Sequence, residues 1–245
     1  MKYDLKDVTF CIPVKLDSGE RSENLRISRE YLLSNFETNV LVGEQAPKQI
    51  DYSILYDFGT NFFYKTKLLN ELYKQSKTPI VVSYDCDVIL PVEQLVEAAN
   101  KIRNGYDFVY PYDSHFYDVE RKYIDYLTNK KFNEIPNKTS LSIVSYGGCC
   151  FFNKEKYKVA GYTNENFRSW GLEDTEIWYR LMKLNFKLDR VPGFLYHMSH
   201  PRGVDSSQSN PYHVQNYEEI RKIEDISSDD LRSYIATWKW LEKSS

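Results

Sequence analysis

The chain has few cysteines, no charge excess and no long apolar run, and each shortage excludes something. Only four cysteines stand in 245 residues, at 11, 86, 149 and 150. Sparse thiols embedded mostly in apolar runs read as buried and reduced, not as a disulfide framework or a zinc site. Lys and Arg number 32 against 35 Asp and Glu, mixed along the sequence, for a net charge of −3. That balance lacks the basic surface on which non-specific nucleic-acid binding depends. No apolar run approaches membrane-spanning length, and Met1 to Val14 is too short and too charged for a secretory signal. There is no internal repeat, no low-complexity run and no compositional break that would mark a domain boundary. The length suits one α/β domain over residues 1–245 with a sizeable core. What the chain has in plenty is aromatic side chains: 21 Tyr, 13 Phe and 4 Trp. Such rings stack on sugars but also fill ordinary cores, so composition does not choose between the two.

Strand and helix signals alternate. Val8 to Val14 is short, apolar and β-branched, as a buried strand should be. Glu20 to Phe36 has helical spacing, with Leu25, Leu32, Leu33 and Phe36 among charges. Short strands are expected at Asn39 to Val42 and Ser53 to Tyr56, and a helix over Asn61 to Gln75. Pro79 to Tyr84 reads as another buried strand, and it runs directly into Asp85-Cys86-Asp87. Pro91 opens a helix over Val92 to Arg103, and Asp107 to Tyr110 is again a strand. The segment 112–137 is polar, aromatic and poorly periodic, an excursion of loop and short helix. Leu141 to Phe152 is expected as a strand carrying Gly147-Gly148, Glu173 to Leu184 as a helix, and Phe186 to Tyr196 as strand-like. Two amphipathic helices are expected in the tail 212–245, the last with Tyr234, Trp238 and Leu241. This alternation predicts a mostly parallel sheet covered on both faces, with ligands bound beyond the carboxyl ends of its strands. Asp85 and Asp87 fall at such an end.

Three short stretches carry chemistry. Asp85 and Asp87, two apart after an apolar strand, can hold a divalent cation and a sugar hydroxyl, because hard cations prefer carboxylate oxygens and bridge diphosphates. The plainer alternative is a solvated turn. His197 and His200, three apart, can reach one ion, and a mixed carboxylate and imidazole set suits Mn²⁺. The alternative is one exposed and one core histidine. Glu173, Asp174 and Glu176 open a helix, where the macrodipole favours acids whatever their function; one of them could also accept the proton of an attacking hydroxyl. Trp170-Gly171 before them offers an aromatic platform and a tight turn, or simple core packing. Tyr146-Gly147-Gly148 within a strand signals close approach by a ligand or another backbone, or a bulge.

In this order the motifs resemble those of the β-1,4-galactosyltransferase family and its bacterial polysaccharide-synthase relatives, closest to chondroitin-synthase-type galactosaminyl and galactosyl transferases. Ile12-Pro13-Val14-Lys15 and Arg21-Ser22-Glu23-Asn24-Leu25 look like the family's opening strand and nucleotide-facing segment. Phe63-Tyr64-Lys65-Thr66-Lys67-Leu68-Leu69-Asn70 looks like its Phe-Asn-Arg-Ala-Lys-Leu-Leu-Asn helix. Asp85-Cys86-Asp87 matches its Asp-x-Asp motif, Tyr146-Gly147-Gly148 its aromatic-Gly-Gly strand, and Trp170 to Asp174 its Trp-Gly-x-Glu-Asp signature. The resemblance implies a GT-A glycosyltransferase fold with Mn²⁺ as cofactor and a UDP-sugar as donor. It implies that Asp87, His197 and His200 ligate the metal, and that Asp85 meets the ribose or donor sugar. Pro13, Lys15, Arg21 and Lys65 then belong to the nucleotide site. Ser145, Tyr146, Gly147, Gly148, Trp170, Gly171 and Glu173 belong to the sugar sites, and Asp174 is the base. Lys65 replaces an Arg of the family, a point charge in place of a fork. Animal members often carry Met where His197 stands, and the tail after Pro211 finds no counterpart.

The reaction implied is inverting, Mn²⁺-dependent transfer of a hexose or N-acetylhexosamine, galactose or N-acetylgalactosamine, to a saccharide or glycolipid acceptor in surface polysaccharide synthesis. The enzyme would be cytoplasmic, with peripheral attachment at the inner face of the membrane left open. The alternatives are another GT-A transferase using a different nucleotide sugar, a non-catalytic carbohydrate-binding protein, or a metal-dependent hydrolase. The residue before the aromatic-Gly-Gly helps choose the donor in the family resembled, and here it is the small Ser145. UDP-N-acetylgalactosamine should therefore be used at least as well as UDP-galactose, and Ser145→Tyr should move preference towards galactose by steric exclusion. Competing donor assays decide this, since an unchanged donor ratio in the variant removes Ser145 from the specificity argument.

Overall fold

The computed structural model describes residues 1–47, 49–136, 139–142, 144–207 and 209–241. The last four positions of the expected tail and the last of the expected 112–137 excursion lie outside the described residues. The first half alternates strand and helix: β1 (Tyr3–Val14), α1 (Gly19–Asn35), β2 (Phe36–Gln45), β3 (Ile54–Tyr56), α2 (Lys65–Gln75), β4 (Ile80–Tyr84), β5 (Val88–Ile89), α3 (Val92–Arg103) and β6 (Phe108–Tyr110). The second half is less regular: β7 (Phe116–Val119), α4 (Ile124–Thr128), β8 (Thr139–Ser142), β9 (Cys149–Asn153), α5 (Lys154–Val159), α6 (Glu173–Lys183), β10 (Leu188–Arg190), β11 (Leu195–Met198), α7 (His213–Asp225) and α8 (Ser228–Ala236). Short 3₁₀ turns intervene.

A seven-stranded sheet runs in the order β10-β6-β9-β4-β1-β2-β3. All its pairs are parallel except those of β9, which is antiparallel to both β4 and β6. Helices α1, α2 and α3 pack against its strands. Every residue of β4, Ile-Val-Val-Ser-Tyr, is buried, as expected of a central strand covered on both faces. A second sheet, β5-β11-β7-β8, stands beside the first. Much of the aromatic content fills the core: Phe10 meets Tyr84 edge-on at 5.6 Å, and Phe152 stacks on Tyr157 at 3.8 Å. All four cysteines are buried free thiols. Among the described residues no helix is long and apolar enough to cross a membrane.

Four expectations about elements need correction. The helix expected from Asn61 begins at Lys65, because the Gln45 side chain holds the preceding segment. Its amide donates to the Phe62 carbonyl at 2.7 Å, and its carbonyl accepts the Tyr64 N–H at 2.8 Å. The strand expected over 141–152 is two strands in different sheets, β8 and β9, and Tyr146-Gly147-Gly148 forms the connection between them. Gly148 has φ +85° there, outside strand geometry. The strand-like 186–196 breaks at Pro192-Gly193, where φ of Gly193 is +117°, into β10 and β11. The 112–137 excursion contains β7, a strand of the second sheet.

The tail helices join the core through Ile223, Leu231, Ile235 and Trp238. Gly161, at φ +98°, makes room for Trp238: a Cβ there would stand 2.6 Å from the indole. Arg180 lies 5.3 Å from the same ring and is fully buried against Glu176, its Nε 2.6 Å from the carboxylate. Its remaining donors reach the carbonyls of Ala160 and Tyr162. Of the three acids that open α6, Glu176 is therefore engaged in the fold. Removing one partner of a buried, hydrogen-bonded ion pair typically costs about 3–5 kcal/mol. Glu176→Ala should lose stability on that order in urea unfolding, and a loss under about 1 kcal/mol would show that the pair is not what holds α6 to the 160–162 segment.

Candidate active site

The site grows from the carboxyl end of β4. Three carbonyls just beyond it are held by side chains: Ser28 of α1 donates to those of Cys86 at 2.9 Å and Val88 at 3.2 Å, and Tyr31 donates to that of Leu90 at 2.9 Å. On the other side, Asp85 N–H donates to the Gly148 carbonyl at 2.8 Å. Held in this way, the tripeptide sends its two carboxylates to different partners while the Cys86 side chain is buried.

Asp87 faces the histidines. His200 Nε2 lies 2.9 Å and His197 Nε2 3.7 Å from Asp87 Oδ2. The ligand atoms of Asp87, His197 and His200 all fall within 4.8 Å of one another. Each ring is oriented from behind. His197 Nδ1 is 2.7 Å from Asp118 Oδ1, and His200 Nδ1 is 2.7 Å from the Pro201 carbonyl. Arg21 Nη2 also lies 3.5 Å from His200 Nδ1, too far to compete with that carbonyl. An acceptor at Nδ1 places the proton there and leaves the Nε2 lone pair for a cation. Burial opposes charge on His197, but Asp87 and Asp118 push its pKa up to about 9. Burial would raise the Asp87 carboxyl, yet His197 and His200 hold it well below the usual carboxylate range. One carboxylate and two imidazoles with oriented Nε2 atoms fit Mn²⁺.

Asp85 faces the other way. Lys65, the first residue of α2, lies 3.2 Å from Asp85, 3.5 Å from Glu173 and 3.4 Å from Asp174. Burial opposes the ammonium, but these carboxylates raise its pKa well above the ordinary value. Burial raises Asp174 to about 7, with Glu173 and Asp85 adding to the shift and Lys65 opposing it. Glu173 also accepts the Gly171 N–H at 2.9 Å. The glycine pair has a physical cause here. A Cβ on Gly147 would stand 2.6 Å from Asp174 Oδ2, and one on Gly148 would stand 2.7 Å from Leu195. The sequence suggests approach by a ligand or another backbone at this pair; the groups that approach are side chains, the Asp174 carboxylate at Gly147 and Leu195 at Gly148.

These groups line one cleft of about 450 Å³, within the usual size of a small-molecule site. Pro13, Arg21, Lys65, Asp85, Asp87, Ser145, Tyr146, Gly147, Gly148, Trp170, Gly171, Glu173, Asp174, His197 and His200 are all on its wall. Lys15 is not: its ammonium lies 2.7 Å from Asp205 and donates to the Asn61 carbonyl. Asp205 in turn accepts from Ser169 Oγ at 2.9 Å, tying the loop after His200 to the turn before α6. Sequence reasoning missed Asp118, Arg202, Asp205 and His213. Asp118 sits in Phe116–Val119, too short and too polar in setting to show a strand period, although it lies directly opposite His197 in the β11–β7 register. Arg202 and Asp205 follow the histidines in a stretch without periodicity, and His213 opens α7, where nothing in the helical period marks it as facing the cleft.

The fold is the GT-A glycosyltransferase fold. A family described as the N-terminal domain of galactosyltransferase matches residues 134–201, the stretch from before Ser145 to just past His200. No curated protein matches the sequence. Among solved structures, GalNAc-T7 with UDP, GalNAc and Mn²⁺ aligns with a TM-score of 0.62 at 10% identity, over 93% of this chain and 50% of that one. The catalytic domain of Drosophila β1,4-galactosyltransferase 7 with xylobiose aligns at 0.44 and 15% identity. A mutant of that enzyme with manganese, UDP-Gal and xylobiose aligns at 0.48 and 13%. The chain covers 64% of the length of each Drosophila structure, and each alignment spans 77% of this chain.

Asp118 tests the cation site from behind. Loss of a carboxylate that orients a ligating histidine typically weakens metal binding about 10- to 100-fold. Asp118→Ala should do so in a Mn²⁺ titration followed by the EPR signal of the unbound ion, and Asp118→Asn should restore part of the loss by keeping an acceptor at Nδ1. Equal affinity in wild type and Asp118→Ala would remove His197 from the ligand set.

Proposed function

We propose that this protein is a UDP-sugar-dependent glycosyltransferase that moves a hexose or N-acetylhexosamine to a saccharide or glycolipid acceptor with inversion, through one catalytic domain spanning residues 1–245. The observation that carries the reading is the pairing, in one cleft, of a carboxylate–imidazole cation site with a carboxyl group raised to about 7. When bound to Asp87, His197 and His200, Mn²⁺ would supply positive charge against the diphosphate leaving group. Arg21, 3.9 Å from Asp87, adds fixed charge beside it. Asp85 receives the ribose or donor sugar, and Glu173, Trp170 and Gly171 form the acceptor side. Asp174 takes the proton of the attacking hydroxyl as that oxygen reaches the anomeric carbon from the face opposite the leaving group. A base with a pKa near working pH is the efficient one. Ser145, small and on the cleft wall, supports an N-acetylgalactosamine donor alongside galactose. The resemblance to bacterial polysaccharide synthases supports a cytoplasmic enzyme of surface polysaccharide synthesis, and the shared fold of GalNAc-T7 with UDP, GalNAc and Mn²⁺ supports the donor class.

A panel of UDP-sugars assayed with Mn²⁺ and with EDTA tests the reading. Transfer should need the metal, and Asp174→Asn should lower kcat on the order of 10²–10⁴-fold with UDP affinity kept. Asp174 must be ionised to act, and its pKa is raised, so kcat/KM should fall as pH drops through about 7. Collapse of UDP affinity in Asp174→Asn would place this residue in the nucleotide site or the fold. Release of free sugar as the main metal-dependent product would instead favour a hydrolase.

A further inference from the structure

The turn that carries Trp170 and Gly171 is held by the chain that follows the second histidine. Asn210, nearly fully buried, donates to the Trp170 carbonyl at 2.7 Å. Asn216 of α7, fully buried, accepts the Arg168 N–H at 3.0 Å and donates to the carbonyls of Arg168 at 2.9 Å and Gly171 at 3.1 Å. These two asparagines bracket His213, the first residue of α7. Its imidazole does something different. It lines the cleft, and its Nδ1, which would stand 3.9 Å from a Cβ on Gly171, is buried and meets no hydrogen-bond partner among the described residues. The neighbouring polar side chains of the segment hold backbone, whereas this one reaches the cleft wall without a protein partner. A buried polar atom without a partner carries a cost, which a ligand hydroxyl reaching His213 Nδ1 from the cleft would offset.

We propose that His213 is an acceptor-binding residue, its imidazole hydrogen-bonded to a hydroxyl of the acceptor sugar seated against Trp170 and Gly171. The proposal rests on the glycosyl-transfer reading. It assigns to α7 a direct part in the site, beside the Trp170-Gly171 turn.

The test uses the full chain with Mn²⁺, UDP-N-acetylgalactosamine or UDP-galactose, and 4-nitrophenyl β-glycosides of glucose, N-acetylglucosamine, xylose and glucuronic acid as acceptor probes. Wild type, His213→Ala and His213→Gln are compared for acceptor KM, kcat and UDP affinity by calorimetry. Loss of one hydrogen bond corresponds to about a tenfold rise in acceptor KM for His213→Ala, with UDP affinity equal to wild type and partial recovery in His213→Gln. An acceptor KM within twofold of wild type in His213→Ala would overturn the proposal while leaving glycosyl transfer intact. A parallel fall in UDP affinity would overturn it too, by making the ring a support of the turn. Should wild type transfer to none of the probes with either donor, the glycosyl-transfer reading fails, and this proposal fails with it.

Discussion

One ammonium facing three carboxylates is the constraint around which this cleft is built. Lys65 lies within 3.5 Å of Asp85, Glu173 and Asp174, and a single positive charge cannot balance three negative ones where water is scarce. The imbalance shows in the acids themselves: burial and mutual repulsion raise Asp85, and raise Asp174 to about 7. It also dictates local structure. The carboxylates come from the end of β4 and the first turn of α6, and the ammonium from the first residue of α2. Bringing these ends together leaves no room for a side chain at Gly147.

The same tripeptide divides the cleft into two electrostatic halves. Asp85 points into the lysine cluster, while two residues on Asp87 points at two imidazoles and, at 3.9 Å, a guanidinium. A cation bound there would displace the proton that Asp87 and Asp118 favour on His197. On the proposed reading a diphosphate would lie on that side, and proton abstraction on the side where burial raises Asp174 to about 7. Helix α1 keeps the halves in place with a buried face that is partly polar. Asn24 donates to the Met198 carbonyl at 2.8 Å and Ser28 to the carbonyls beyond β4, so α1 ties β11, which carries His197, to the Asp85-Cys86-Asp87 turn.

The legibility of this molecule follows that division of labour. The strands β1 and β4 and the helix α3 were readable because their apolar periods answer to burial alone, and Val92–Arg103 has the bounds its sequence suggests. Asp87, His197 and His200, unusual together in residue type and order, do converge, whereas Asp85 turns to Lys65. Asp118 was not readable, since its function comes from a register opposite His197 that pairs distant stretches, and a four-residue strand shows no period. Tyr146-Gly147-Gly148 was legible as a place of close approach but not as a connection between two sheets, because glycine marks space without saying which group fills it. The macrodipole argument for the acids of α6 was sound for all three and could not separate them. Only the partners do that, Arg180 for Glu176 and Lys65 for the other two.

The tail shows why a site can depend on sequence that carries no motif. Ser169, Gly171 and Leu172 all hold positive φ, +56°, +115° and +73°, and for serine and leucine that conformation is unfavourable. Such strain persists only where the surroundings over-determine it. Here Asn210 and Asn216 fix the carbonyls of Arg168, Trp170 and Gly171, and Asp205 fixes the Ser169 hydroxyl. Each of these residues lies after His200. The turn sets where α6 begins, and α6 begins with Glu173 and Asp174, so the position of the candidate base is determined partly by Asp205, Asn210 and Asn216. Asn216 lies in α7, and Ile223 of α7, Leu231 and Ile235 of α8 and Trp238 just beyond it are anchored in the core. Packing at Trp238 and the start of α6 at Glu173 and Asp174 are thus connected through contacts of Asp205, Asn210 and Asn216.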